Sequence, residues 1–198
     1  MDRVAPKSEA ETRAVYKPYD AVLEGNGFVP TSFHALAYRP EILDGFSHLA
    51  GAVLGPGTVE RELKQLVAYV ASRSAGCLYC QSHTSHAAHN LGVSAEKIQG
   101  VWEFESHGQF DAAERAALRV ARDAALVPNA VTDEHFLELR EHFSDEQIVE
   151  IVSVISLFGF LNRWNDTMAT GLEEGAIAFG AEMLAPDGWT VGKHGEAP

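Results

Sequence analysis

An all-α fold is predicted for this chain of 198 residues. Apolar residues recur at the i, i+3, i+4 spacing of a helix along nearly the whole sequence, and alternating, strand-like segments are scarce. Hydrophobic residues make up 46% of the chain, and a protein of this size buries roughly 70% of its unfolded surface. A full core can therefore form, and the two cysteines are not needed as a structural crosslink.

The helices at the centre of the sequence have readable ends. Pro40 suits the first turn of a helix that is closed by the glycine-rich residues 51–57. Thr58 is a candidate N-cap for the next helix, and Gly76 suits the left-handed C-cap that ends it. Cys77 is therefore expected to open a new helix.

Capping residues also mark the later helices. The predicted N-caps are Ser94, Asp111, Thr132 and Ser144. Glu114 and Gln147 complete capping-box patterns with the second and the fourth of these residues. The helix after Ser144 is predicted to reach about Arg163 and is apolar nearly all round, so we expect it at the centre or at a subunit interface. A last helix is predicted over residues 167–185.

A polar run, residues 162–166, follows the apolar pattern of that long helix. Arg163 and Asp166 are three positions apart within it, the spacing of an ion pair on a helix surface. We expect these two residues to form an ion pair at the helix terminus or a subunit contact.

We expect one domain flanked by two terminal segments, because no domain boundary is visible inside the chain. Residues 1–30 are predicted to form an irregular or short-helical leader that packs on the core, since prolines and glycines are frequent there. Residues 31–185 are predicted to form one helical domain. Residues 186–198 are polar with glycine and proline, and we expect a loose C-terminal tail.

The charge of the chain excludes two classes of partner. A net charge of −13 disfavours nucleic acid and anionic membrane surfaces, which select basic proteins.

The first residues lack the apolar core of a signal peptide, and no apolar run is long enough to span a membrane. We therefore predict a cytoplasmic protein, a reducing environment where a close cysteine pair is more often catalytic or metal-binding than structural.

The strongest chemical signal is the CxxC pair of Cys77 and Cys80. Three-residue spacing at a helix start brings two sulfur atoms within disulfide reach, which suits a dithiol that cycles with a disulfide. The unpaired N–H groups and the dipole of the helix favour a thiolate there, most of all at Cys77. His83 lies about 60° from Cys80 around the helix and is the nearest candidate base.

Other interpretations of these residues stay open. Cys77, Cys80 and His83 could supply three ligands of a zinc site, although no second CxxC or further cysteine completes it. The cysteines could also be a buried inert pair. We expect no metal and no cofactor. The remaining nearby histidines, His86 and His89, point away from the pair and are expected on the surface.

Three segments of the chain resemble the carboxymuconolactone decarboxylase and alkyl hydroperoxidase D superfamily. Residues 65–93 carry a helix, a small-residue break and CxxC followed by histidine, and residues 143–150 and 160–166 are similar to the late helix of its peroxidase-related members. This resemblance implies an all-helical, AhpD-like bundle. It also implies a homo-oligomer, either a trimer or a hexamer built from dimers.

The resemblance further implies hydroperoxide reduction by a dithiol. Cys80 would attack the peroxide and become a sulfenic acid, and Cys77 would resolve it to a disulfide. An external thiol or dithiol would then reduce the pair. His83 would manage the proton.

The chain departs from the family pattern at three positions that relay protons. Gln65 stands where the family has a glutamate, Tyr79 stands at the histidine between the cysteines, and Thr84 stands at the histidine after them. We treat these three as supporting residues. His83 is a candidate replacement for the missing histidine, and Glu62 for the carboxylate, although a solvated surface position is the favoured interpretation of Glu62.

Two rival functions remain. The first is a lactone enzyme like carboxymuconolactone decarboxylase, which would not depend on the cysteine pair. The second is a non-catalytic, redox-sensing oligomer whose cysteine pair alters association.

Overall fold

The computed structural model describes residues 2–195 and confirms the all-α fold. This part of the chain contains eleven α-helices and no strand. The helices are α1 (Glu9–Val15), α2 (Tyr19–Asn26), α3 (Thr31–Leu36), α4 (Pro40–Leu54), α5 (Arg61–Ser74), α6 (Leu78–Asn90), α7 (Ala95–Gln99), α8 (Ala112–Ala124), α9 (Asp133–His142), α10 (Asp145–Met168) and α11 (Glu174–Met183). Short 3-10 segments cover Gly100–Glu103, Ala185–Asp187 and Gly192–His194.

Helix α5 forms the centre of the bundle. It packs against α6, α8 and α10, and its middle residues from Leu66 to Ser72 are all buried. Small side chains at Ala116 and Ala117 of α8 are completely or almost completely buried, which lets the helices approach closely. The core thus surrounds the helix that immediately precedes the cysteine pair.

The start of α5 differs from the prediction. Its N-cap is Glu60, whereas Thr58 turns its N–H and hydroxyl toward a carboxylate oxygen of Glu150 in α10, at 2.9 and 2.8 Å. Lys64, which is 1% exposed, forms an ion pair with the same carboxylate and donates to two backbone carbonyls at the end of α4. A tertiary contact, rather than helix capping, therefore uses the polar groups of Thr58.

The other predicted N-caps are confirmed. Ser94, Asp111 and Ser144 each accept a backbone hydrogen bond from the first turn of the following helix, and Thr132 forms a capping box with His135. Their side chains satisfy N–H groups that have no partner within the helix.

The last two helices have different limits from those predicted. Helix α10 continues past Arg163 to Met168, and a left-handed residue, Ala169, then turns the chain. Helix α11 covers only part of residues 167–185. The predicted end of α10 was too early because a polar run begins at Asn162. In the structure, Asn162 and Asn165 are buried on the inner face of the helix, which therefore continues.

The ion pair expected in that polar run, between Arg163 and Asp166, is absent from the described part of the chain. The Asp166 carboxylate instead lies 2.7 Å from the ammonium of Lys193. The contact ties α10 to the C-terminal segment.

The N-terminal leader contains α1 and α2 and is attached to the core. Tyr16 and Tyr19 are each 2% exposed. The Asp2 carboxylate accepts the N–H of Gly171 at 2.7 Å, and the N–H of Arg3 donates to the Met168 carbonyl at 3.0 Å. These contacts hold the leader against the end of α10.

Residues 186–195, which were expected in a loose tail, pack on the start of α6. The Trp189 indole N–H donates to the Leu78 carbonyl at 3.0 Å, and the N–H of Leu172 donates to the His194 carbonyl at 2.7 Å. Trp189 and His194 are both buried. The rest of the expected tail, residues 196–198, lies outside the described residues.

One face of the bundle is apolar and open to solvent. We call it the α4/α10 groove, defined by the exposed side chains of Ile42, Leu49, Val149 and Phe160. Helix α10 is thus both a core helix, as predicted, and a helix with one apolar face open to solvent. No helix within residues 2–195 is long and apolar enough to cross a bilayer.

Candidate active site

The turn between α5 and α6 places the cysteine motif. Ala75 keeps a right-handed helical conformation and Gly76 has φ of 75°, in the left-handed region. The N–H of Gly76 donates to the Arg73 carbonyl at 3.1 Å, and the N–H of Cys77 donates to the Ser72 carbonyl at 3.0 Å. This pair of bonds is a Schellman motif, which confirms the predicted C-cap and leaves Cys77 as the N-cap of α6.

Both cysteines are free thiols inside the protein, with Cys77 1% and Cys80 2% exposed. Hydrogen bonding from the Cys80 thiol lowers the pKa of Cys77 below its usual value, burial opposes this, and the N–H groups of Cys80 and Tyr79 add to the lowering. Burial raises the pKa of Cys80 well above its usual value, and the neighbouring Cys77 raises it further. The pair therefore favours its first thiolate at Cys77.

A third group contacts the pair from α10. The side-chain N–H of Asn165 donates to the Cys80 sulfur at 3.6 Å, a normal length for a bond to sulfur, and Asn165 is 1% exposed. This bond lowers the pKa of Cys80 and so partly offsets burial. Asn165 is thus placed to stabilise negative charge on the second sulfur.

His83 lies on the next turn of α6 and is paired with a carboxylate. Its Nε2 is 2.7 Å from Oε2 of Glu173, the N-cap residue of α11. The Phe28 ring stacks on the imidazole with 5.6 Å between centroids, and the Tyr79 ring meets it edge-on at 4.3 Å. These contacts fix both the position and the plane of the ring.

Glu173 is a preorganised anion. Its Oε1 accepts the Thr31 N–H at 2.6 Å and the Tyr79 hydroxyl at 3.4 Å. Burial would raise the pKa of Glu173, but the hydrogen bond and charge of His83 and the Thr31 N–H outweigh it and lower that pKa to about 2. The carboxylate therefore stays ionised at neutral pH.

The predicted supporting residues have different surroundings. Tyr79 is 2% exposed and reaches Glu173, and burial raises its pKa well above the usual value, so it remains a neutral phenol. The Thr84 hydroxyl donates to the Cys80 carbonyl at 2.7 Å, inside α6. Gln65 is partly buried in α5, and Glu62 is exposed. The carboxylate near the histidine is thus Glu173 rather than Glu62.

The structure therefore brings together the Cys77–Cys80 dithiol and, beside it, a His83–Glu173 pair. Among residues 2–195, no hydrogen bond joins the His83 ring to either sulfur. No group of three or more potential metal-binding side chains occurs in the same part of the chain. Asn165 and Glu173 are the two residues that sequence reasoning did not select.

A cavity lies beside this site. It has a volume of about 610 Å³ and opens between α10 and the residues that connect α8 to α9. Ala75, in the turn before Cys77, and Asp166, next to Asn165, both line it. The charge of Asp166 also raises the pKa of both cysteines, although it is not the largest effect on either.

Comparisons with known proteins identify the family. The carboxymuconolactone decarboxylase family profile matches residues 40–123. The crystal structure of the debrominase Bmp8 superimposes on this chain with a TM-score of 0.84, over 91% of this chain and 97% of that one. The two sequences are 31% identical. The chain belongs to the carboxymuconolactone decarboxylase family.

The chain is also similar to three further proteins or structures. A cysteine-to-alanine variant of Bmp8 in complex with 2,3,4-tribromopyrrole is 30% identical, with a TM-score of 0.85, over 92% of this chain and 98% of that one. The uncharacterized protein YdfG of Bacillus subtilis is 29% identical over 110 residues, which are 54% of this chain and 72% of that protein. A peroxidase-related protein from Ralstonia eutropha JMP134, with an AhpD core, is 22% identical with a TM-score of 0.78, over 88% of this chain and 94% of that one, and shares the fold.

Proposed function

We propose that this family member is a thiol-dependent peroxidase that reduces hydroperoxides with the Cys77–Cys80 dithiol. The observation that carries the proposal is the geometry of the pair: two free, buried thiols at the start of α6, with the Asn165 side chain donating to the sulfur of Cys80. A paired thiol of lowered pKa is the form that reacts with peroxides.

The proposed reaction balances without a cofactor. A thiolate sulfur bonds to the terminal oxygen of the hydroperoxide, the O–O bond breaks, and the alkoxide leaves and takes a proton to become an alcohol. The sulfur is oxidised to a sulfenic acid. The second thiol then forms the disulfide and releases water, and an external dithiol returns the pair to the reduced state.

The order of the two sulfurs is part of the proposal. The family resemblance assigns the attack to Cys80 and the resolving step to Cys77. The pKa directions favour Cys77 as the first thiolate, because burial penalises charge at Cys80 most strongly. Trapping the sulfenic acid in Cys77→Ser and in Cys80→Ser identifies the attacking sulfur, since only a variant that retains it forms the trapped product.

His83 and Glu173 are proposed to manage the proton. The carboxylate orients the imidazole through the 2.7 Å contact between Nε2 of His83 and Oε2 of Glu173. The imidazole can then supply a proton to the leaving alkoxide, directly or through water.

The activity test uses the reduced protein with cumene hydroperoxide. Stopped-flow loss of thiols should be at least about tenfold faster than for an unactivated free cysteine, on the order of the gain from a lowered thiol pKa. A rate equal to that of free cysteine, or full turnover by the Cys77→Ser, Cys80→Ser double variant, contradicts the proposal. Turnover of a lactone by that double variant would favour the lactone enzyme.

A second candidate function is reductive debromination, which the similarity to Bmp8 over more than nine-tenths of each chain supports. In this reaction a carbon–bromine bond is replaced by a carbon–hydrogen bond, two thiols become a disulfide, and bromide and a proton are released. Bromide release from 2,3,4-tribromopyrrole, compared with alcohol formation from cumene hydroperoxide under the same dithiol, decides between the two. The better substrate by kcat/KM defines the function.

Self-association is proposed for the same protein. The α4/α10 groove exposes a contiguous set of large apolar side chains, a feature of surfaces that bind another protein, and the family resemblance implies trimers or hexamers. A second copy of the chain is the expected occupant. Sedimentation of the parent and of Phe160→Ser tests it, with a smaller species expected for the variant. Equal sedimentation of reduced and oxidised protein would oppose the redox-sensing alternative.

A further inference from the structure

The cavity beside α10 has the size and the mostly apolar lining of a small-molecule binding site. Its volume of about 610 Å³ lies within the range of roughly 300–1,000 Å³ that is typical of ligand pockets. Apolar side chains cover most of it, and they come from four segments of the chain. These side chains are Val120, Leu126, Val131, Phe136, Val152 and Ile155.

Asn162 supplies an unused polar group in this wall. It lies on the same stripe of α10 as Ile155, Gly159 and Asp166, which all line the cavity. Its side chain is buried, at 5% exposure, and neither the amide nitrogen nor the amide oxygen has a hydrogen-bond partner in the described residues. A buried amide without partners costs about 1–3 kcal/mol, so a ligand that satisfies it has a physical reason to bind.

The cavity is also next to the dithiol along two separate paths. Ala75 lies two residues before Cys77, so their Cα atoms are at most about 7 Å apart. Asp166 follows Asn165, whose side chain donates to the Cys80 sulfur at 3.6 Å. A molecule in the cavity therefore lies beside residues that flank both cysteines.

We propose that this cavity is the substrate-binding site and that Asn162 holds the polar head of a substrate with an apolar body. This inference rests on the proposed peroxidase for the identity of the head, a hydroperoxide. An O–OH group offers one donor and several acceptor lone pairs, which match the acceptor and donor of the amide. The cavity makes the enzyme selective for aryl-alkyl hydroperoxides over hydrogen peroxide, which leaves the apolar wall uncovered.

A binding experiment tests the cavity without any turnover. The probe is cumyl alcohol, the unreactive product of cumene hydroperoxide, titrated calorimetrically into the Cys77→Ser, Cys80→Ser protein. Gly159→Phe fills the cavity from α10, and Gly51→Phe is the matched control on α4, away from the cavity wall. A Cβ at either glycine meets no atom within 4 Å, so the first side-chain atom fits at both positions, and equal Tm values for the two variants would show that both fold.

Cumyl alcohol should bind the Gly51→Phe protein as it binds the parent, and Gly159→Phe should weaken the affinity by about tenfold or more, as expected when a small ligand loses much of its apolar contact. Equal affinity in the two variants, or no binding to the parent, overturns the proposal. Because the test needs no redox chemistry, it can succeed even if the peroxidase activity fails, and the two failures are distinguishable.

A kinetic experiment tests Asn162 itself. In Asn162→Leu the KM should rise about tenfold for cumene hydroperoxide and also for hydrogen peroxide, because both carry the O–OH group that the amide binds and each loses the equivalent of one or two hydrogen bonds. The Tm should stay equal or rise, because an unpartnered buried amide is removed. A lowered Tm, or an unchanged KM for both peroxides, would refute the assignment.

Discussion

The His83–Glu173 pair makes the stability of the protein depend on pH in a defined direction. A carboxyl group whose pKa falls from 4.5 to about 2 on folding favours the folded state by about 3 kcal/mol when it is ionised. Because the folded pKa is the lower one, this stability is present above pH 4.5 and is lost as the pH falls toward 2.

Glu173→Gln isolates the charge. The amide can still accept the Thr31 N–H and remain beside His83, so the variant changes charge more than shape. We expect the free energy of unfolding at pH 7 to fall by about 2–3 kcal/mol. The difference between parent and variant should shrink as the pH drops from 4.5 toward 2, because the Glu173 carboxylate becomes increasingly protonated and neutral like the glutamine.

Urea unfolding followed by circular dichroism, at several pH values between about 2.5 and 7, measures this difference. Glu174→Gln is the matched control, since it removes the same charge from the neighbouring, exposed residue of the same helix turn. The reasoning is refuted if Glu173→Gln behaves like Glu174→Gln at every pH, or if its cost does not depend on pH.

Three further predictions concern single contacts. Asn165→Leu removes the donor to the Cys80 sulfur and should raise the pKa of Cys80 further. The Cys80 thiol should then be alkylated more slowly at a fixed pH. In a Cys80→Ser background, Asn165→Leu should leave the alkylation rate of the protein unchanged. Lys64→Met leaves the Glu150 carboxylate without its buried cation and should cost about 3–5 kcal/mol in urea unfolding; a cost under about 1 kcal/mol would mean that the pair is solvated. Trp189→Phe removes the indole hydrogen bond to the first residue of α6 and should lower stability by about 1 kcal/mol, with intact packing shown by an unchanged circular dichroism spectrum.

The parts of the fold that could be predicted from the sequence depend on neighbours within one helical turn. The capping box of Asp111 and Glu114 and the left-handed Gly76 are local devices, because a cap is formed by residues three or four positions apart. Thr58 shows the limit of this reasoning. It has the chemistry of an N-cap, but Glu150, 92 positions away, takes its hydroxyl and N–H instead.

The candidate site could be predicted only where it is local in sequence. Cys77, Cys80 and His83 lie on two turns of α6. Asn165 and Glu173 reach them from 85 and 90 positions away. The polar run after residue 161 was visible in the sequence as a departure from an apolar pattern. Only the burial of its two asparagines shows that the run faces inward rather than ending the helix.

The geometry also bears on how the protein could work without the relay residues of its family. Glu173, at the N-terminus of α11, has a pKa of about 2. An anion of that kind accepts a proton poorly at neutral pH, so in the proposed peroxidase Glu173 orients His83 rather than shuttling the proton. Tyr79 cannot take over the shuttle, because its raised pKa keeps the phenol neutral. In the proposed peroxidase, proton transfer therefore depends on His83, and His83→Gln should lower kcat for cumene hydroperoxide by about 100-fold or more, the contribution of a positioned proton donor, whereas Glu173→Gln loses only the orienting contact and should lower kcat less.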